Sequence, residues 1–122
     1  MFSAFEGITS SRKAGEALSE MRFIATPEAD GSVKYPTASM THVFGVSKST
    51  NKYGGDCAIG DEVSIIHNGI VRIIAEEAIT NRALVTAGTA GKAKVKGAGD
   101  VAFGITMEAS TTAGDMILIK LI

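Results

Sequence analysis

With 122 residues, a formal net charge of −1 and 20% charged side chains, the chain has the length of one domain, able to bury roughly two-thirds of its unfolded surface. It lacks the basic field that draws a protein to nucleic acid or an anionic membrane. Fourteen glycines, two prolines and no tryptophan point to many short strands joined by tight turns.

Met1 to Gly15 holds Phe2, Phe5 and Ile8 among small and polar residues, followed by Ser10, Ser11, Arg12 and Lys13, with no sustained period of helix or strand. It reads as an N-terminal arm over residues 1–15, mobile when free and ordered on a partner, with Phe2, Phe5 and Ile8 as apolar anchors and Arg12 and Lys13 as secondary contacts. The first seven residues lack the charged start and apolar stretch of a signal peptide. No apolar run approaches the roughly eighteen residues of a membrane span.

From Glu16 the chain echoes itself. Glu16 to Thr26 recurs, one residue shorter, as Glu77 to Thr86, and each copy then reaches a glycine turn, at Asp30-Gly31-Ser32 and Ala90-Gly91-Lys92. Lysine-bearing strands follow at Val33-Lys34-Tyr35 and Ala93-Lys94-Val95, then Val43-Phe44-Gly45-Val46 and Ala102-Phe103-Gly104-Ile105. Each copy closes on a Gly-Asp pair and an alternating strand, Gly60 to Ile65 and Gly114 to Ile119. Such spacing predicts an internal duplication over about 16–66 and 77–122, with the length differences in loops. A strand over Ala17 to Thr26 is preferred to a short helix, which Gly15 would weaken. Phe44 and Phe103 are expected to plug cores, Gly60 and Gly114 to turn the chain, and Asp61 and Asp115 to bond nearby amides rather than a metal.

The loop Ser47 to Ala58 is polar and glycine-rich, and its Gly54-Gly55 is followed by no Gly-Lys-Ser/Thr that would cradle a phosphate. Within it Cys57, the single cysteine, closes no internal disulfide and fits synthesis in a reducing cytoplasm. Gly60 to Ala75 places two β-branched runs around Asn68-Gly69, which predicts a two-residue hairpin with Ile66 opposite Val71 and Ile65 opposite Arg72. Both faces of that ribbon carry aliphatics, so it needs cover from its own barrel or sandwich and also from the chain's termini or a neighbouring subunit, which places Ile66, Val71 and Ile73 in the expected oligomer contact. The last strand, Met116 to Ile122, is also apolar on both sides, which adds Leu118 and Leu121 to the expected oligomer contact and suggests a homotrimer. Lys92, Lys94 and Lys96 alternate along one strand and read as a solvated edge guard or as a dock for an acidic partner.

The steps Phe44-Gly45-Val46, Gly60 to Ile65, Phe103-Gly104-Ile105 and Asp115 to Ile122 resemble those of the small decoration, or cement, proteins encoded beside the major capsid protein in tailed bacteriophages. The likeness covers about Glu16 to Ile122. It implies an all-β fold, a single compact β-tulip-like barrel or sandwich, often trimeric. Such a protein sits on the outer surface of the expanded capsid in the virion and clamps neighbouring capsid subunits against internal DNA pressure. The polar Ser47 to Ala58 loop and the serine-rich N-terminal stretch depart from that pattern. The residues themselves present no catalytic set, cofactor motif or metal cluster. The competing reading is a small-ligand or enzymatic barrel that uses Cys57 with His42 or His67 as thiol and base.

Overall fold

The computed structural model describes residues 4–37, 42–48 and 56–122, and it is all-β: two antiparallel sheets stacked as a sandwich rather than closed into a barrel. Phe2 lies outside the described residues, as do residues 49–55 of the polar loop with Gly54-Gly55. The smaller sheet comprises β2 (Thr9–Lys13), β3 (Phe23–Ile24), β4 (Gly45–Lys48) and β5 (Glu62–Ile66), in the order β2-β5-β4-β3. The larger comprises β1 (Phe5–Glu6), β6 (Gly69–Ile74), β7 (Leu84–Ala87), β8 (Ala93–Val95), β9 (Gly104–Thr106) and β10 (Met116–Leu121), in the order β1-β6-β10-β9-β7-β8.

Three expectations are corrected here. Asn68-Gly69 turns the chain, with Gly69 at φ 100°, but closes no hairpin ladder, because β5 and β6 belong to different sheets. Each strand has both edges occupied: β5 by β2 and β4, and β6 by β1 and β10. A Cβ on Gly69 would run into the Phe5 carbonyl oxygen, so the N-terminal segment fills the place beside the turn. That segment is the second correction. Residues 5–6 and 9–13 are edge strands, and Thr9 to Lys13 pair residue for residue with Ile66 to Glu62. Their side chains gave no strand signal because Thr9 to Lys13 is polar on both faces and is held at the sheet edge by its main-chain ladder. The strand expected from Ala17 to Thr26 is shortened to Phe23–Ile24, since Met21 takes a left-handed φ of 57° that breaks the ladder.

Beneath these differences the same main-chain bonds occur twice. Leu18 and Cys57 exchange N–H···O bonds across an isolated bridge, and so do Ile79 and Ser110. Ala14 donates to Asp61 and Ala75 to Asp115; Met21 donates to Ser47 and Arg82 to Thr106; Phe44 donates to Ile24 and Phe103 to Val85. Met21 and Arg82 share the left-handed conformation, at φ 57° and 60°. Even side chains follow suit: the Ser47 hydroxyl donates to Ser19 O while the Thr106 hydroxyl donates to Thr80 O, both at 2.8 Å. The correspondence runs past Glu16 toward the N-terminus, because β2 lies against β5 as β6 lies against β10. The chain is therefore two strand sets, β2-β5-β4-β3 and β6-β10-β9-β7, with β1 and β8 added at the outer edges of the second.

The sets stack front to back. Cross-strand partners share a face and successive residues alternate between faces. Val63 and Ile65 point with Ala14, Leu18, Ile24, Val33 and Cys57 into a core belonging to the first set, flanked by half-buried Tyr35 and Phe44. Phe23, Val46 and Ile66 point the other way and enter the second core, beside Val71, Ile73, Ile79, Val85, Phe103, Ile117 and Ile119. Phe23 meets Phe103 edge to face, with centroids 5.7 Å apart, the geometry aromatic quadrupoles favour. Arg22 Nη1 donates to Ala90 O at 3.2 Å and ties the first set to the 3-10 turn Thr89–Gly91 of the second. The front of the first set is thus buried against the back of the second, and the front of the second faces outward.

Candidate docking surface

The outward front of the larger sheet is read from its registers. Phe5 pairs with Ile70, Ile70 with Lys120, Lys120 with Ile105 and Ile105 with Leu84, so one row crosses five strands on a single face. Ile74 and Met116 pair in a second row. Phe5 is 71%, Met116 50% and Leu84 44% exposed, whereas Ile70, Ile74 and Ile105 are half-buried. Leu118 has the same parity as Lys120, yet it is only 2% exposed and lies outside the two cores. Its amide donates to Glu108 Oε1 at 3.0 Å. The basic groups of this face are Arg72 and Lys120, with Lys94 opposite Thr86 on β8 and Lys96, whose amide donates to Leu84 O, at its end.

At the opposite end of the stack the back of the first set is finished with polar groups. Ser10 Oγ lies 2.6 Å from His67 Nε2, and His67 Nδ1 lies 2.8 Å from Phe44 O. The carbonyl can only accept, so Nδ1 donates to Phe44 O, and Nε2 shares a hydrogen bond with the Ser10 hydroxyl. The imidazole stands edge-on to the Phe44 ring at 4.4 Å, and the Arg12 guanidinium lies 5.5 Å from the centroid of that ring, within cation–π range. A groove of about 320 Å³ is lined by Glu6, Glu20, Met21, Lys48, Arg72 and Met116. Across it Lys48 and Glu6 form an ion pair at 2.7 Å. Among the described residues no group of three His, Cys, Asp or Glu side chains is placed to hold a metal.

The expected site residues divide sharply. Phe5, Ile8, Arg12 and Lys13 are all exposed, with Ile8 at 68%. The expected subunit contact is corrected: Ile66, Val71 and Ile73 are at most 3% exposed and are packed inside the sandwich, so they have no surface to offer a neighbour. Leu118 is likewise buried, and Leu121 is half-buried against the second core. The two-sided apolarity of Gly60 to Ala75 is satisfied mostly within the chain, by stacking. Cys57 is 3% exposed and its Sγ lies 3.6 Å from Glu62 O, while the hydrogen bonds of His67 go to Ser10 and Phe44. Sequence reasoning missed the outward row because its members come from five separate strands. The available signal was Leu84 and Ile105 at the positions matching Phe23 and Val46. Asp61 and Asp115 bond amides as expected, at Ala58 and at Thr111 and Thr112 respectively. The Thr111 and Thr112 amides hold the Asp115 carboxyl below the usual aspartate range.

The chain matches no protein-family model and no curated protein sequence. Among solved structures, the N base of head fiber gp8.5 in bacteriophage phi29 superposes with a TM-score of 0.74 at 18% identity, over 94% of this chain and 93% of that one. The fold of this chain is similar to the fold of that head fiber base along nearly the full length of both.

Proposed function

We propose that this chain is a structural, non-enzymatic protein of a tailed-phage virion, which binds the major capsid protein on the outer surface of the expanded capsid and strengthens contacts between neighbouring capsid subunits. The observation that carries the reading is the shared fold with a phage head fiber base across almost all of both chains. The surface chemistry agrees with it: Phe5 and Ile8 stand exposed, with Arg12 and Lys13 exposed further along the same N-terminal segment, and exposed aromatic and aliphatic groups suit protein docking. An origin of the two strand sets by duplication belongs to the same proposal, with the first copy beginning at β2 instead of at Glu16. The oligomer proposed is a homotrimer. Ile59 and Val101, exposed outside the strands, offer apolar surface for that contact in place of the buried Ile66, Val71 and Ile73.

The experiment is co-sedimentation of the full chain with expanded capsids prepared without it, together with thermal disruption of the capsids. Saturable binding with a raised disruption temperature is expected. Absence of binding at micromolar protein would overturn the proposal, and sedimentation velocity showing monomers alone would remove the trimer from it.

A further inference from the structure

We infer that the outward front of the larger sheet, the row Phe5, Ile70, Lys120, Ile105 and Leu84 with its flanking cations, is a docking surface for an apolar, acid-rimmed patch on the capsid shell and is closed to a second copy of this chain. The inference rests on the proposed capsid association and names the surface that performs it. Its starting point lies within the fold. Phe23, Val46 and Ile66 pair in register as Leu84, Ile105 and Lys120 do, and the first three are buried at 0%, 0% and 3% by the second strand set. The face that the first set spends on internal stacking is therefore only partly covered in the second, where Leu84 is 44% exposed, Ile70 and Ile105 are half-buried and Leu118 is buried.

Charge selects the occupant. Arg72, Lys94, Lys96 and Lys120 border the row, against the Glu108 carboxylate bound at the Leu118 amide and the Glu77 carboxylate bound at the Val95 amide between Lys94 and Lys96, so the rim keeps an excess of cations. Two copies meeting front to front would set one predominantly basic rim against another, and like-charge contact at an interface is strongly unfavourable. Repeating the internal stack between copies fails as well. Lys120 stands where Ile66 stands, and it would meet Ser10 and Arg12, which occupy the places of Val71 and Ile73. Arg12 is already held near the Phe44 ring. A head-to-tail contact of this kind would build rings or open fibres; the polar Ser10, His67 and Arg12 group stands against it. An acidic surface with an apolar centre satisfies both the row and its cations.

The test uses the full chain and expanded capsid shells of the parent phage that lack this protein. K94E/K120E alters two lysines on the face without touching the cores, K94R/K120R keeps the charge, and K34E on the first strand set is the control. Expected are binding about tenfold weaker for K94E/K120E, near wild-type binding for the other two, and an unchanged sedimentation coefficient for all. If the wild type binds and K94E/K120E binds equally well, the inference is overturned while capsid association stands. If K94E/K120E instead dissociates an oligomer of the free protein, the face is a contact between copies and the inference is overturned. If the wild type itself fails to bind shells, the inference and the capsid reading fall together.

Discussion

Phe23, Val46 and Ile66 form a cross-strand row in the first strand set, and Leu84, Ile105 and Lys120 form the same row in the second. The first row is sealed in a core, yet Leu84 is 44% exposed and Lys120 projects into solvent. On the reverse faces the polarity inverts. Val71 and Ile73 are fully buried, while Ser10 and Arg12, which pair with β5 as those two pair with β10, lie at the surface beside His67. A shared hydrogen-bond pattern therefore sets the path of the backbone and leaves burial to the position of each set in the stack. Hydrophobic stabilisation follows that position, because it scales with area removed from water.

The sharpest way to break the comparison is to truncate matched residues. Phe23→Ala should lower unfolding free energy by about 3–5 kcal/mol, the usual loss for a buried phenylalanine, whereas Leu84→Ala should cost about 1 kcal/mol or less at its half-open site. Chemical denaturation of both variants measures the difference, and equal losses would mean that the two fronts are equally covered. Matched glycines give a second pair. Gly31 and Gly91 both hold positive φ, at 86° and 72°. A Cβ on Gly31 would meet open space, but one on Gly91 would strike the Phe23 carbonyl oxygen. Gly31→Ala should cost about 1–2 kcal/mol for the left-handed backbone alone, and Gly91→Ala a further 1–3 kcal/mol or so from overpacking. A smaller loss for Gly91→Ala would place the 3-10 turn away from the first set.

Polarity at the first back is tested by giving it the residues of the second. Ser10→Val and Arg12→Ile, combined with His67→Leu to supply the counterpart of Leu121, should make the protein associate at micromolar concentration, seen as a concentration-dependent rise in sedimentation coefficient. Placing Leu84→Asp on the same chain should restore the original behaviour by spoiling the complementary front. A triple variant that folds and sediments like the wild type would show that the polar group is not what keeps copies apart.

Much of this was legible in the sequence, because the marks of each strand set are turn and packing residues that cannot be moved. Gly60 and Gly114 turn the chain at φ 88° and 92°, and Phe103 plugs the second core. The Asn68-Gly69 turn was legible as a turn but not as a bend between sheets, since both uses need positive φ and the choice depends on which strands take the free edges. β2 was invisible because Thr-Ser-Ser-Arg-Lys shares little chemistry with Ile-Val-Arg-Ile-Ile, although the two segments hold the same place. The outward docking row was illegible for a related reason: apolar residues at alternating positions look alike whether a second layer covers them or not.

The mildest contrast is between one turn of each strand set and concerns pH. Asp115 Oδ2 accepts from the amides of Thr111 and Thr112 at 2.8 and 3.1 Å, and those bonds, led by Thr111, hold its pKa below the ordinary value. Asp30 is also lowered, first by the Ser32 hydroxyl and then by the Ser32 amide. A carboxyl with a depressed folded pKa binds its proton more readily in the unfolded chain. Its contribution is therefore fully present above the unfolded value of about 4 and lost as pH falls through the folded value. Asp115→Asn should lower the melting temperature slightly at pH 7, and the gap to wild type should close on acidification below about pH 4. Asp30→Asn should behave alike in the glycine turn of the first strand set. A gap at Asp115 that persists undiminished into strong acid would mean that the amide bonds serve the neutral carboxyl equally well, and that the turn is held by its backbone alone.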